Sequence, residues 1–192
     1  MKKFLLPFLG ICLAVLLSFT NSKKIILIDA GHGGEDKGAM VGDLVEKDLT
    51  LRISHIIKKL NQDNKDFEIV LLREGDETLS LEQRAKIIEK VNPYLVLSLH
   101  LNFSPKNKDL KGKEIYIQSN EKSRVFGEML GKRFEEGAKV EKKDLKLLKD
   151  SKSPALIFEM GYLSNEEDRN LFSNEDGQLQ IAKQILEFLK EN

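Results

Sequence analysis

The feature that most constrains this chain is an alternation, from residue 23 onward, of short apolar runs with amphipathic stretches at helical spacing. Residues 24–29 (KIILID), 67–72 (FEIVLL) and 94–99 (YLVLSL) read as buried strands, as do 155–158 (ALIF) and, more weakly, 114–118 (EIYIQ). Between them, Leu49, Ile53, Ile56, Ile57 and Leu60 recur at helical spacing over residues 46–60. A second helix is expected over 80–91, opened by a capping box of Ser80 and Gln83, and others over 121–136 and 176–190. Strands that are apolar throughout, rather than alternating, are buried on both faces. Strands that alternate with helices build largely parallel sheets. The expectation is one α/β domain, a twisted, mostly parallel sheet of about six strands flanked by helices.

Residues 1–22 follow a different logic. Lys2 and Lys3 precede an uncharged run over 4–20, after which polar chain begins. A basic start and a short apolar stretch describe a secretory signal peptide, with Thr20 and Ser22 as the small residues of a cleavage site; an uncleaved N-terminal anchor is the alternative. The stretch is on the short side for a spanning helix. A lipoprotein reading through Cys12 fails because Ile11 stands where a small residue is needed. Cys12 is the single cysteine, so neither an internal disulfide nor a cysteine-based zinc site is available. The domain expected over 23–192 is therefore exported, to the periplasm or cell envelope, and meets a membrane only through an uncleaved leader.

The 31 basic and 31 acidic residues balance, which excludes a polybasic nucleic-acid binder. Cleavage after Ser22 removes two lysines and leaves 29 basic against 31 acidic residues.

Three polar side chains fall at the carboxyl ends of the buried runs: His32 after KIILIDAG, His100 after YLVLSL and Glu159 after ALIF. Ligands of open α/β sheets bind in the crevice beyond those ends. His55 shares a helix face with Arg52 and Lys59 and reads as solvated surface. The loop Gly31-His32-Gly33-Gly34 lacks the lysine of a phosphate loop and is followed by Glu35 and Asp36, which repel phosphate. Bland readings exist for each residue: a core histidine for His100, a lysine-paired carboxylate for Glu159 (with Lys149 or Lys152), and a capping box with Asp43 for Glu46. Together they suggest a different use, since two imidazoles and a carboxylate are the ligand set of a catalytic zinc site with an open position. Glu46, at the head of its helix, is placed to reach His32, leaving Glu159 as a second carboxylate free of the metal. Metal-assisted hydrolysis needs that division: the metal acidifies water and polarises the carbonyl, and the free carboxylate moves the proton.

Five segments carry a family resemblance: IILIDAGHGGEDKGA (25–39), EKDLTLRI (46–53), LLREGD (71–76), LSLHLN (97–102) and PALIFEMGYLSNEEDRNLF (154–172). In this order they resemble the zinc-dependent N-acetylmuramoyl-L-alanine amidases of the amidase 3 family, over nearly all of residues 24–189. The resemblance implies one Zn2+ per chain held by His32, Glu46 and His100, with Glu159 as catalytic acid/base. It implies peptidoglycan as the partner and hydrolysis of the amide joining N-acetylmuramic acid to L-alanine. Arg73, Arg84 and Asn102 match family positions and are candidate substrate contacts, with a structural ion pair the alternative for the arginines. Ser164 and Asn165 read as caps of the turn before residues 166–172.

The chain departs from the family pattern at Tyr94, Leu101 and Tyr162, and around residues 142–144, where an Arg-Gly element is replaced. The 59 positions separating His100 from Glu159 leave little space for the inhibitory helix that some members insert there. An activator protein is not identifiable from the sequence. Two competing readings remain: another zinc hydrolase of wall peptides, carboxypeptidase-like, and a catalytically inactive wall-binding module.

Overall fold

The computed structural model describes residues 23–134 and 136–191, and the leader read over residues 1–22 lies outside them. The elements run β1 (Lys24–Ala30), β2 (Met40–Val41), β3 (Leu44–Val45), α1 (Glu46–Leu60), β4 (Phe67–Leu71), α2 (Leu81–Val91), β5 (Leu95–Asn102), β6 (Glu114–Ile117), α3 (Glu121–Gly131), β7 (Lys139–Lys142), α4 (Lys146–Asp150), β8 (Ala155–Tyr162), α5 (Glu166–Phe172) and α6 (Glu175–Lys190). Six strands form one sheet in the order β4-β1-β5-β8-β6-β7, and β2 and β3 form a separate small hairpin. All neighbours are parallel except β6 and β8. The expected mostly parallel α/β sheet of six strands is present.

Period-two alternation along the strands sorts their side chains onto two faces. Ile26, Ile28, Leu97, Leu99, Leu156 and Phe158 join the inner faces of α1, α3 and α6 in the larger core. Leu27, Val96 and Ile157 face the other way and pack with Ile88 of α2 and Leu147 and Leu148 of α4. On that second face, continuing toward the carboxyl ends, come Asp29, Ser98, His100 and Glu159. The helices α2 and α4 are short (11 and 5 residues) and leave the upper part of the face open.

From β1 the chain goes first to β4 on one side and then to β5 on the other. The order thus reverses between β1 and β5, the switch point at which crevices form in such sheets. His32 follows one of these strands and His100 lies on the other.

Several expectations change in detail. The helix expected over 121–136 closes at Gly131, and β7 and the β2–β3 hairpin were not foreseen. The capping box of Ser80 and Gln83 is present with both reciprocal bonds. That of Asp43 and Glu46 is not: the residue before α1 is Val45, with no side-chain cap, and Asp43 lies in the hairpin turn.

Candidate metal centre

Glu46 is 2% exposed at the first position of α1, a burial that an isolated carboxylate would not tolerate. Its Oε1 accepts the Leu101 N–H at 2.8 Å and its Oε2 the Ala39 N–H at 2.8 Å, which fixes the carboxylate plane. The same Oε1 lies 3.0 Å from His32 Nε2 and 3.1 Å from His100 Nδ1. The imidazoles meet edge to face with centroids 4.9 Å apart. One donor atom from each of the three side chains lies within 4.8 Å of the other two. The two imidazoles line a cavity of about 580 Å³, and with the Glu46 carboxylate against both they suit a catalytic zinc ion with room for water or substrate. The cavity is walled by Leu79, Leu81, Leu145 and Leu147 and bordered by Asp36, Ser80 and Lys146. A larger cavity of about 820 Å³, between Met40, Phe103 and Asn170, contains none of the three donors.

Asp36 completes the arrangement, with Oδ2 2.8 Å from His32 Nδ1. A carboxylate accepting the Nδ1–H selects the tautomer that leaves Nε2 free as a ligand. Sequence reading used Asp36 only to argue against phosphate; its position four residues after His32 in a tight glycine-rich loop was the available signal.

The electrostatics express the same closeness. Burial opposes charging His32, but the hydrogen bond and charge of Glu46, followed by those of Asp36, outweigh it and raise the imidazole from 6.5 to about 9. Burial likewise opposes ionisation of Glu46, yet hydrogen bonds and charge from His100 and His32 hold its carboxyl down at about 2. A buried anion between two imidazoles is a cavity prepared for positive charge, whether carried by protons or by a metal.

Glu159 faces His100 across the β5–β8 pair, and its Oε2 is buried with no hydrogen-bond partner among the described residues. Burial raises its carboxyl to about 7, with Glu46 and Glu114 adding to the effect and His100 opposing it. Of the lysines considered as partners, Lys152 pairs with Glu89 instead. One strand further, Glu114 stands opposite Glu159, its oxygens held by the hydroxyls of Tyr116 at 2.5 Å and Tyr162 at 2.9 Å. His55, as expected, is exposed on the outer face of α1, against the Glu74 carbonyl.

The arginines have the structural alternative as their geometry. Arg73 is 2% exposed, and its guanidinium donates to the carbonyls of Ala30, Gly31, Lys47 and Gly75, joining the end of β1 to the start of α1. Arg84 is 5% exposed and ion-paired with the buried Asp29. Arg84 also lines the cavity beside the two imidazoles, whereas Arg73 does not. Asn102, at the end of β5, is half-buried with its Oδ1 accepting the Phe103 N–H. Asn165 caps α5 through the Asp168 N–H, and the Ser164 hydroxyl accepts the Ser104 N–H.

The sequence pattern of the N-acetylmuramoyl-L-alanine amidase family matches residues 26–191. The germination-specific N-acetylmuramoyl-L-alanine amidase of Bacillus subtilis is 29% identical over 188 residues, covering 88% of this chain and 79% of that protein. Among solved structures, the catalytic domain of CwlV, an N-acetylmuramoyl-L-alanine amidase from Bacillus (Paenibacillus) polymyxa var. colistinus, superposes with a TM-score of 0.81 at 30% identity. That match covers 88% of this chain and 97% of that one. The N-acetylmuramoyl-L-alanine amidase of Clostridium difficile 630 gives 0.82 at 25% identity, over 88% and 96%. With the matched region reaching all six strands of the sheet and the cluster at its switch point, the chain belongs to the N-acetylmuramoyl-L-alanine amidase family.

Proposed function

We propose that this protein is a zinc-dependent peptidoglycan hydrolase that cleaves the amide between N-acetylmuramic acid and the L-alanine of the stem peptide. The observation that carries the reading is the convergence of His32, Glu46 and His100 on one point, with the unpartnered Glu159 carboxyl on the same sheet face. His32, Glu46 and His100 would hold one Zn2+, which when bound lowers the pKa of water to about 7 and polarises the scissile carbonyl. Asp36 keeps His32 in the ligating tautomer. Glu159, raised to about 7 by its burial, takes the proton of the attacking water and returns it to the departing alanine nitrogen. The cavity between the imidazoles, α2 and α4 admits the substrate, and Asn102, at the end of β5, is a candidate contact.

The leader read over residues 1–22 supports export, which would bring the domain to its substrate in the cell envelope. Among the described residues no helix is long and apolar enough to cross a membrane.

Digestion of purified peptidoglycan with and without chelator, followed by mass analysis of the fragments, tests the reading. An amidase frees the amino terminus of L-alanine from muramic acid, and chelation abolishes that product. Release of a terminal amino acid instead would indicate a carboxypeptidase. Binding without any product would indicate an inactive wall-binding module.

A further inference from the structure

His32 is one of two non-glycine residues with positive φ among those described, at 60°; the other is Asn92 at 48°. Asparagine and histidine are both enriched in the left-handed region, but the conformation is uncommon for any residue with a Cβ and persists where the surroundings hold it. The carbonyl that follows this unusual φ accepts a hydrogen bond from Arg84 Nη2 at 2.5 Å. The other terminal nitrogen of Arg84 pairs with Asp29 Oδ1 and reaches the Ala30 carbonyl at 3.3 Å, and Nε donates to the Leu79 carbonyl at 3.3 Å. Asp29 is itself held on its second oxygen by the Ser98 hydroxyl at 2.7 Å.

The path is continuous, with its Ser98–Asp29 and Asp29–Arg84 links buried and its last link to His32 part-buried. Ser98 lies two residues before His100 on β5 and on the same face; Asp29 lies three residues before His32 on β1; Arg84 comes from α2. A side-chain chain therefore links the strand that carries one imidazole to the backbone of the other. Asp29, Ser98 and Arg84 are 1%, 0% and 5% exposed, and all three lie against the cavity beside the imidazoles.

We propose that Arg84, anchored through Asp29 to Ser98, is the positioning residue of the metal centre, holding His32 in its left-handed conformation so that the imidazole faces Glu46 and His100 before a metal binds. This rests on the reading of the cluster as a zinc site. The guanidinium is suited to the task because its planar fork serves a carboxylate and a carbonyl at once, which a lysine ammonium, a single point of charge, does not reproduce. Groups that orient metal ligands affect affinity by about 10–100-fold when removed.

The test is the zinc affinity of the full chain, measured by competition with a chelating dye. Wild-type protein is expected to take one zinc; if it takes none, the zinc reading itself fails. Given wild-type binding, Arg84→Gln is expected to weaken affinity about tenfold or more, and Arg84→Lys, which keeps the charge beside Asp29, to recover part of the loss. Ile88→Val, a core change on the same helix that removes none of these hydrogen bonds, controls for general loosening and is expected to leave zinc affinity unchanged. An Arg84→Gln protein that binds zinc within twofold of wild type overturns the role while leaving the metal centre intact. Should Arg84→Gln fail to fold, Ser98→Ala decides: it releases the far end of the network, and only a several-fold loss of affinity is compatible with the proposal.

Discussion

Glu159 stands directly across the β5–β8 strand pair from His100, yet the two have different surroundings: His100 Nδ1 meets the Glu46 carboxylate, while Glu159 Oε2 meets no hydrogen-bond donor among the described residues. In the proposed function these neighbouring positions on one sheet face take a metal-ligand role and a proton-carrying role respectively. A carboxyl that burial raises to about 7 exchanges its proton near neutral pH, where an exposed glutamate would stay ionised.

Glu159→Gln preserves the shape and removes the titration. Hydrolysis is expected to fall by about 10²–10⁴-fold, the usual contribution of a general acid/base. Zinc content, measured by elemental analysis, is expected to stay near one per chain. Retained turnover would exclude Glu159 from proton transfer.

His100→Ala is expected to lose zinc and activity together, because a second imidazole is needed to complete the donor set around Glu46. Wild-type protein stripped by a chelator is expected to behave the same way and to recover on adding zinc. A fully metallated His100→Ala protein would remove this residue from the ligand set.

In the metal-free protein the cluster has a defined pH signature. His32 is raised from 6.5 to about 9, so its contribution to stability is fully present below pH 6.5 and is lost as pH rises through 9. Glu46 is lowered from 4.5 to about 2, so its contribution is present above pH 4.5 and is lost as pH falls through 2. The chelated protein is expected to be most stable between these limits and to lose thermal stability from pH 6.5 to 9. Zinc replaces the proton on His32, so the stabilisation by added zinc is expected to grow over that same interval. Thermal melts with and without zinc across the range measure both trends, and a metal-free melting temperature that is flat from pH 6.5 to 9 would contradict them.

What the sequence revealed follows from where the free energy lies. The buried strands and α1 were readable because their apolar spacing is imposed by a core, and α1 runs over the expected residues, Glu46–Leu60. β7 was not, because three of its four residues are charged; it is an edge strand held by backbone pairing to β6, and lysines suit such an edge. The candidate metal donors were readable because histidine and glutamate fall together at the strand and helix ends where open α/β sheets bind ligands. Asp29 and the work of the arginines were not, since hydrogen bonds across 43, 52 or 69 positions of chain leave no periodicity in the sequence.

The glycine spacing of the ligand loop gives a last prediction, in which steric and conformational effects can be separated. Gly38 has φ +65°, and a Cβ built there would lie 2.5 Å from Glu46 Oε2 and 2.6 Å from His32 Cδ2, so the two proposed ligands would have to move. Gly42 has nearly the same backbone, φ +58°, but a Cβ there meets nothing within 4 Å. Alanine at either position incurs the left-handed strain of about 1–3 kcal/mol. Only Gly38→Ala also displaces ligand atoms. Both variants are therefore expected to melt at lower temperature than wild type without metal, while zinc affinity falls in Gly38→Ala and stays at the wild-type value in Gly42→Ala. Equal zinc affinity in the two would mean that the ligands tolerate the displacement, and that their close packing against Gly38 is incidental to metal binding.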